Sequence, residues 1–140
     1  MEIRDLVVRD LVTVGPAHTL AQAAKLMSAK RVGSAVVLTE QSPGILSERD
    51  LLRAVADGVD PAVATVSDYM TWNAIVATSE LDTMEAARTM LEHGFRHLVV
   101  IDGASSSEVG ILSIRDLMAG MLGCTRPERS SVTAVAGQGY

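Results

Sequence analysis

Two short phrases in this chain place a hydroxyl and a carboxylate at the same spacing, Ser47-Glu48-Arg49-Asp50 and Ser113-Ile114-Arg115-Asp116. At the start of a helix, Ser–x–x–Asp puts both side chains on one turn. The unpaired N–H groups of a helix N-terminus carry partial positive charge and suit a phosphate. A serine hydroxyl there can donate to a phosphate oxygen, and the aspartate can accept from both hydroxyls of a ribose. The apolar residues ahead of each serine, Ile45 and Ile111 among them, supply a slot for a base. The same spacing has a second meaning. Ser–x–x–acid is also a capping box, in which the two residues satisfy each other's backbone donors. The roles are compatible, and one phrase alone does not choose between them.

Other chemistry is sparse. His18, His93 and His97 show neither i, i+4 pairing nor a shared acidic partner suited to zinc. Cys124, the single cysteine, lacks an evident base and excludes a disulfide framework. There is no glycine-rich phosphate loop and no nucleophile elbow. Met27, Met84, Met90, Met118 and Met121 follow helical spacing and read as core or interface. Tyr69 and Trp72 read as core packing, with base stacking or a dimer anchor as the other options. The chain is expected not to be an enzyme.

The elements that position the two phrases repeat with them. Each phrase is the tail of a longer one, Gly44-Ile45-Leu46-Ser47-Glu48-Arg49-Asp50 and Gly110-Ile111-Leu112-Ser113-Ile114-Arg115-Asp116. Ile3-Arg4-Asp5 lines up with Val66-Ser67-Asp68. The same offset sets Val12 on Ile75, Ala23 on Ala86, Met27 on Met90, and Val36-Val37-Leu38 on Val99-Val100-Ile101. The copies differ in length only in the turn-rich stretches before each glycine. In copy one, Leu11–Val14 is a short extended run. Leu20, Ala23, Ala24 and Met27 then mark an amphipathic helix beginning near His18 or Thr19. Ser34–Leu38 and Gly44–Leu46 form a hairpin, and Leu51, Leu52, Val55 and Ala56 mark a helix ended by Gly58. Copy two repeats this, with strands near Ile75-Val76, at Leu98–Ile101 and at Val109–Leu112. Its helices run through Met84–Leu91 and Ile114–Leu122. The order is β-α-β-β-α, twice.

Bulk properties narrow the class further. A copy of about 60 residues is marginal alone, which favours two packed together. The 140 residues are 48% hydrophobic, with a formal charge of −5 and 3% aromatics. Acidity and few aromatics argue against a nucleic-acid surface. No apolar run approaches a membrane span and the charged start does not resemble a signal peptide, so a cytoplasmic protein is expected.

The duplicated phrases, with Val66-x-Asp68-x-Met70-Thr71, Ala23-Ala24-Lys25-Leu26-Met27 and Phe95-Arg96-His97-Leu98-Val99-Val100-Ile101-Asp102, resemble tandem CBS domains, the regulatory module named after cystathionine β-synthase. The resemblance covers about residues 1 to 122. It implies an α/β (α+β) fold of two β-α-β-β-α repeats, 1–60 and 61–122, packed through their sheets with pseudo-two-fold symmetry. Residues 123–140 are expected to form a mobile tail. It also implies two clefts between the repeats that take an adenosine ligand (AMP, ADP or ATP, with S-adenosylmethionine as a relative), with no cofactor required. Ser47, Asp50, Ser113, Asp116, Ile45 and Ile111 are the expected ligand contacts, with Arg96 and His97 meeting phosphate. Copy one has Gly33-Ser34 where copy two has Arg96-His97, so phosphate recognition should come mainly from copy two. The bland alternative pairs Arg96 with a surface carboxylate and has His97 cap a strand. Arg49 and Arg115 read as solvated or dimer-interface residues. Val36 and Val99 depart from the family, where many relatives have proline, and a local change in strand geometry is expected. A homodimer and an unidentified effector protein are the expected partners. The competing readings are a ligand-free dimerisation scaffold and a nucleic-acid binder.

Overall fold

Thr19 starts the first long helix by a reciprocal cap: the Gln22 N–H donates to Thr19 Oγ1 (3.1 Å) and the Thr19 N–H to Gln22 Oε1 (2.9 Å). The structure, a computed structural model, describes residues 1–8, 10–102 and 105–123. Cys124 and residues 124–140 of the expected tail lie outside the described residues. Copy one contains β1 (Thr13–Val14), α1 (Leu20–Lys30), β2 (Ser34–Val37), β3 (Gly44–Ser47) and α2 (Glu48–Asp57). Copy two contains α3 (Val66–Tyr69), β4 (Val76–Thr78), α4 (Thr83–His93), β5 (His97–Asp102), β6 (Ser105–Ser113) and α5 (Ile114–Leu122). The β-α-β-β-α order is present twice. The opening phrases add what periodicity did not give, a 3-10 turn at Ile3–Asp5 and the short α3.

Each copy builds a three-stranded sheet, parallel between its first two strands and antiparallel in the hairpin. Val36 pairs with Thr13 and Ile45, and Val99 with Val76 and Ile111. The Val36 N–H donates to the Val12 carbonyl at 2.9 Å, a bond that a proline could not make. At Val36 the departure from proline therefore adds a bond to the parallel ladder. Every residue of β2 is buried. Ala35 and Val37 join the core under the helices, while Val36 on the opposite face is just as buried. A strand covered on both faces loses its polar alternation, hence the unbroken apolar run. The two sheets cover each other, which is the packing the resemblance implied.

The copies exchange their opening helices. Ile3 belongs to the core of copy two, with Met90, Leu98, Leu112 and Leu117. Val66 and Met70 of α3 belong to the core of copy one, with Leu20, Met27 and Leu46. Hydrogen bonds record the resulting symmetry. The Ile3 N–H donates to Leu81 (2.9 Å) as that of Val66 does to His18 (2.8 Å). The Arg4 N–H donates to Ser79 (3.0 Å) as that of Ser67 does to Pro16 (2.9 Å). Val8 meets Ile111, and Thr71 meets Ile45, each by a reciprocal pair of backbone bonds. The segments after the opening helices are thereby pinned across the partner copy's hairpin, and they become walls of the clefts between the copies.

Candidate functional site: an interrepeat cleft

Ser47 and Ser113 sit at the junctions of β3 with α2 and of β6 with α5, each as the helix N-cap in extended conformation. The Ser47 N–H and hydroxyl both donate to Asp50 Oδ2 (2.8 and 3.1 Å), and the Asp50 N–H donates to Ser47 Oγ (3.4 Å). In copy two the Ser113 hydroxyl donates to Asp116 Oδ2 (2.8 Å), and the Asp116 N–H donates to Ser113 Oγ (3.1 Å). Capping is thus satisfied in both copies. Both aspartates are buried, at 8% and 5% exposure. Asp50 Oδ1 remains for other contacts, with Arg53 Nη2 at 3.5 Å. The equivalent of Arg53 in copy two is Ala119, so only one aspartate has this neighbour.

The hairpin glycines explain how tightly the walls close. A Cβ on Gly44 would lie 2.3 Å from Met70 Cε and 2.7 Å from the Thr71 carbonyl. One on Gly110 would lie 2.2 Å from Val7 Cγ1. Glycine is required because the other copy's segment crosses there, not because of its dihedral freedom.

One cleft, of about 240 Å³, opens beside Asp50. Ile45, Ala74, Ile75 and Val99 form its apolar part, and Ser47, Asp50, Arg49, Arg96 and His97 its polar part. The expected residues Ile45, Ser47, Asp50, Arg96 and His97 are therefore brought together, from both copies. Among the described residues neither Arg49 nor Arg96 forms an ion pair, so the expected alternative of a surface carboxylate for Arg96 is not realised. Arg49 is exposed, in keeping with its expected place at solvent, and it also lines this cleft. Glu48, which the sequence did not single out, also lines this cleft, as does His93 at the end of α4. The ring of His93 stacks on Phe95 at 5.1 Å.

The symmetry-related cleft measures about 20 Å³. Ser113 and Ile111 line it, His97 borders both clefts, and Asp116 lines neither. Trp72 is 51% exposed, with its indole N–H donated to the Ser67 carbonyl at 3.3 Å, so it is not a core residue. Tyr69 packs against the first core and donates its hydroxyl to Asp57 Oδ2 at 2.8 Å. Among the described residues there is no cluster of three or more potential metal ligands, and no helix is long and apolar enough to cross a membrane.

Comparison with known proteins places this geometry. The model of the CBS domain family matches residues 3–57 and 66–123. An uncharacterized 17.7 kDa protein of Acidianus ambivalens is 38% identical over 112 residues, which are 78% of this chain and 66% of that protein. The chain spans 57% and 41% of the length of two further curated relatives, from Methanopyrus kandleri and Methanocaldococcus jannaschii. A solved CBS-domain protein of Agrobacterium tumefaciens superposes with a TM-score of 0.77 at 32% identity, covering 86% of this chain and 99% of that one. A CBS-domain protein of Pyrobaculum aerophilum, solved in complex with AMP, gives 0.73 at 26% identity, covering 89% and 100%.

Proposed function

This chain belongs to the CBS domain family, and from that premise we propose that it is a regulatory module holding an adenosine-containing ligand in the 240 Å³ cleft beside Asp50. Residues 1–60 and 61–122 act as its two repeats. The observation that carries the reading is the make-up of one cleft. Apolar Ile45 and Val99, the buried Asp50, and Arg49 and Arg96, which have no carboxylate partner among the described residues, line the same space. The base takes the apolar part and the ribose hydroxyls donate to Asp50. Phosphate oxygens accept from Arg96 and Arg49 and from the first turn of α2. The AMP complex of the Pyrobaculum aerophilum relative supports this ligand class. Occupancy passes to an effector protein, or to a second copy, through α2, whose first turn contacts the ligand and whose outer side bears Leu52 and Val55.

Glu48 supports a second reading. A carboxylate in the polar part favours a cationic group, which S-adenosylmethionine carries and AMP does not. Calorimetry with adenosine, AMP, ATP and S-adenosylmethionine separates the two. AMP is expected to exceed both adenosine and its 2′-deoxy analogue. Asp50→Ala is expected to weaken AMP about 10- to 100-fold, since a hydrogen bond to a charged group contributes roughly 1.5–3 kcal/mol. Adenosine binding as tightly as AMP would move the assignment to the S-adenosyl ligand. No binding by any of the four would leave the ligand-free scaffold.

A further inference from the structure

The two clefts are built from equivalent positions, yet their contents differ in ways that all point one way. Where the open cleft has Ala74, the other has Leu11; where the first has Thr71, the second has Val8. Gly33 and Ser34 stand in place of Arg96 and His97. The second cleft is left with about 20 Å³, the room of a single water, against about 240 Å³ in the first. His97 closes the division between them. A Cβ placed on Gly33 would stand 3.1 Å from Glu48 Oε1 and 3.3 Å from His97 Cε1, so these two side chains together crowd the space that a side chain at residue 33 would take.

Charge repeats the distinction. Among the described residues no arginine or lysine lines the second cleft; Asp10 does, and it pairs with Lys30. Asp116, the counterpart of Asp50, does not reach that cleft. A site of that size, lined by a carboxylate and without its aspartate, lacks the room for a nucleoside phosphate.

We infer that each chain takes one ligand, in the Asp50 cleft, and that the second cleft is filled by the chain's own Leu11, Val8 and His97. Leu11 and Gly33 are thus the residues that set the number of sites, and His97, packed from behind, is held at the wall of the occupied one. This rests on the proposed adenosine ligand, and the test keeps the two apart. Calorimetry with AMP on the full chain is expected to give one site per chain. Ala74→Leu, which copies the filled cleft into the open one, is expected to weaken AMP at least tenfold. Arg96→Ala, a change at an exposed side chain, does the same without touching the packing. A thermal melt on each variant confirms folding.

Two sites per chain would overturn this inference while leaving the ligand class intact. One site whose affinity survives both substitutions would place the ligand in the second cleft and overturn it as well. If none of adenosine, AMP, ATP and S-adenosylmethionine binds up to about 1 mM, both this inference and the reading beneath it fail.

Discussion

Asp50 divides its two carboxylate oxygens between the helix cap and the proposed ligand. Oδ2 is committed to Ser47, while Oδ1 lies near Arg53 and is the oxygen left for a ligand. Arg53 also donates to the Tyr69 carbonyl at 3.0 Å and lies 5.4 Å from the centroid of the Tyr69 ring. It therefore ties the ligand-facing turn of α2 to α3, the exchanged helix of the other copy. Tyr69 completes this link through Asp57, and the hydrogen bond to that carboxylate raises the phenol above the ordinary tyrosine value of 10.0. The sign follows from proton linkage. The folded chain holds this proton more tightly than the unfolded one, so the contribution is complete below pH 10.0 and is lost as pH rises through the raised value. Tyr69→Phe is expected to remove that alkaline loss of stability, read by denaturant unfolding at successive pH values alongside phenolate absorbance. An identical alkaline slope in the variant would discount the Tyr69–Asp57 bond. At this scale the repeated phrase made Ser47, Asp50, Ser113 and Asp116 legible. It could not say which aspartate reaches a cleft, because that depends on Ala74 against Leu11, residues outside the phrase. Trp72 was misread because one aromatic beside a strand carries no period that tells core from surface.

The helices and strands were legible because each buries a stripe. Leu20, Ala23 and Met27 of α1, and Ala86 and Met90 of α4, are buried at the helical period that announced them. The exchange of opening helices was not legible. Ile3 and Val66 are single apolar residues in short turns, and a lone residue does not disclose which core receives it. The signal nearest to it was the invariant glycine of the duplicated phrase. Gly44 and Gly110 are each crossed by a segment of the other copy, so both mark the crossing from within the hairpin. Gly44→Ala is expected to cost about 1–3 kcal/mol, since the Thr71 backbone cannot yield as a flexible side chain does. It should also weaken AMP, because Thr71 lines the ligand cleft. Gly110→Ala should destabilise by a similar amount and leave AMP binding little changed. Chemical denaturation and calorimetry on the pair distinguish a merely local strain from the wall movement argued here, which requires that only the first variant lose ligand.

Over the whole molecule, symmetry extends to what stays uncovered. Leu52 and Val55 on α2 are 68% and 74% exposed, and their equivalents on α5, Met118 and Met121, are 55% and 44% exposed. Leu122 adds to the second set at 74%. Apolar residues exposed singly need no explanation, but the same two positions left bare in both copies describe a recurrent face. The sequence showed these residues as one helical stripe. It could not show that Leu51 and Leu117 turn inward while their neighbours do not, since that is fixed by which core each helix packs on. A two-fold partner offers the matching surface at no cost in new sequence: in an isologous pair each face meets its own copy, and hydrophobic burial is satisfied for both at once. Light scattering at micromolar concentration is therefore expected to give twice the chain mass. Leu52→Glu together with Met118→Glu should give the single chain mass with unchanged circular dichroism, because both side chains lie outside the two cores. AMP affinity in that monomer reports whether the signal is shared. If occupancy passes through α2 to a second copy, ligand must shift the dimerisation constant, and by reciprocity the dimer must shift the ligand constant by the same factor. A clean wild-type monomer at micromolar concentration would remove the dimer. An AMP affinity equal in dimer and monomer would leave the dimer standing and direct the output to another protein.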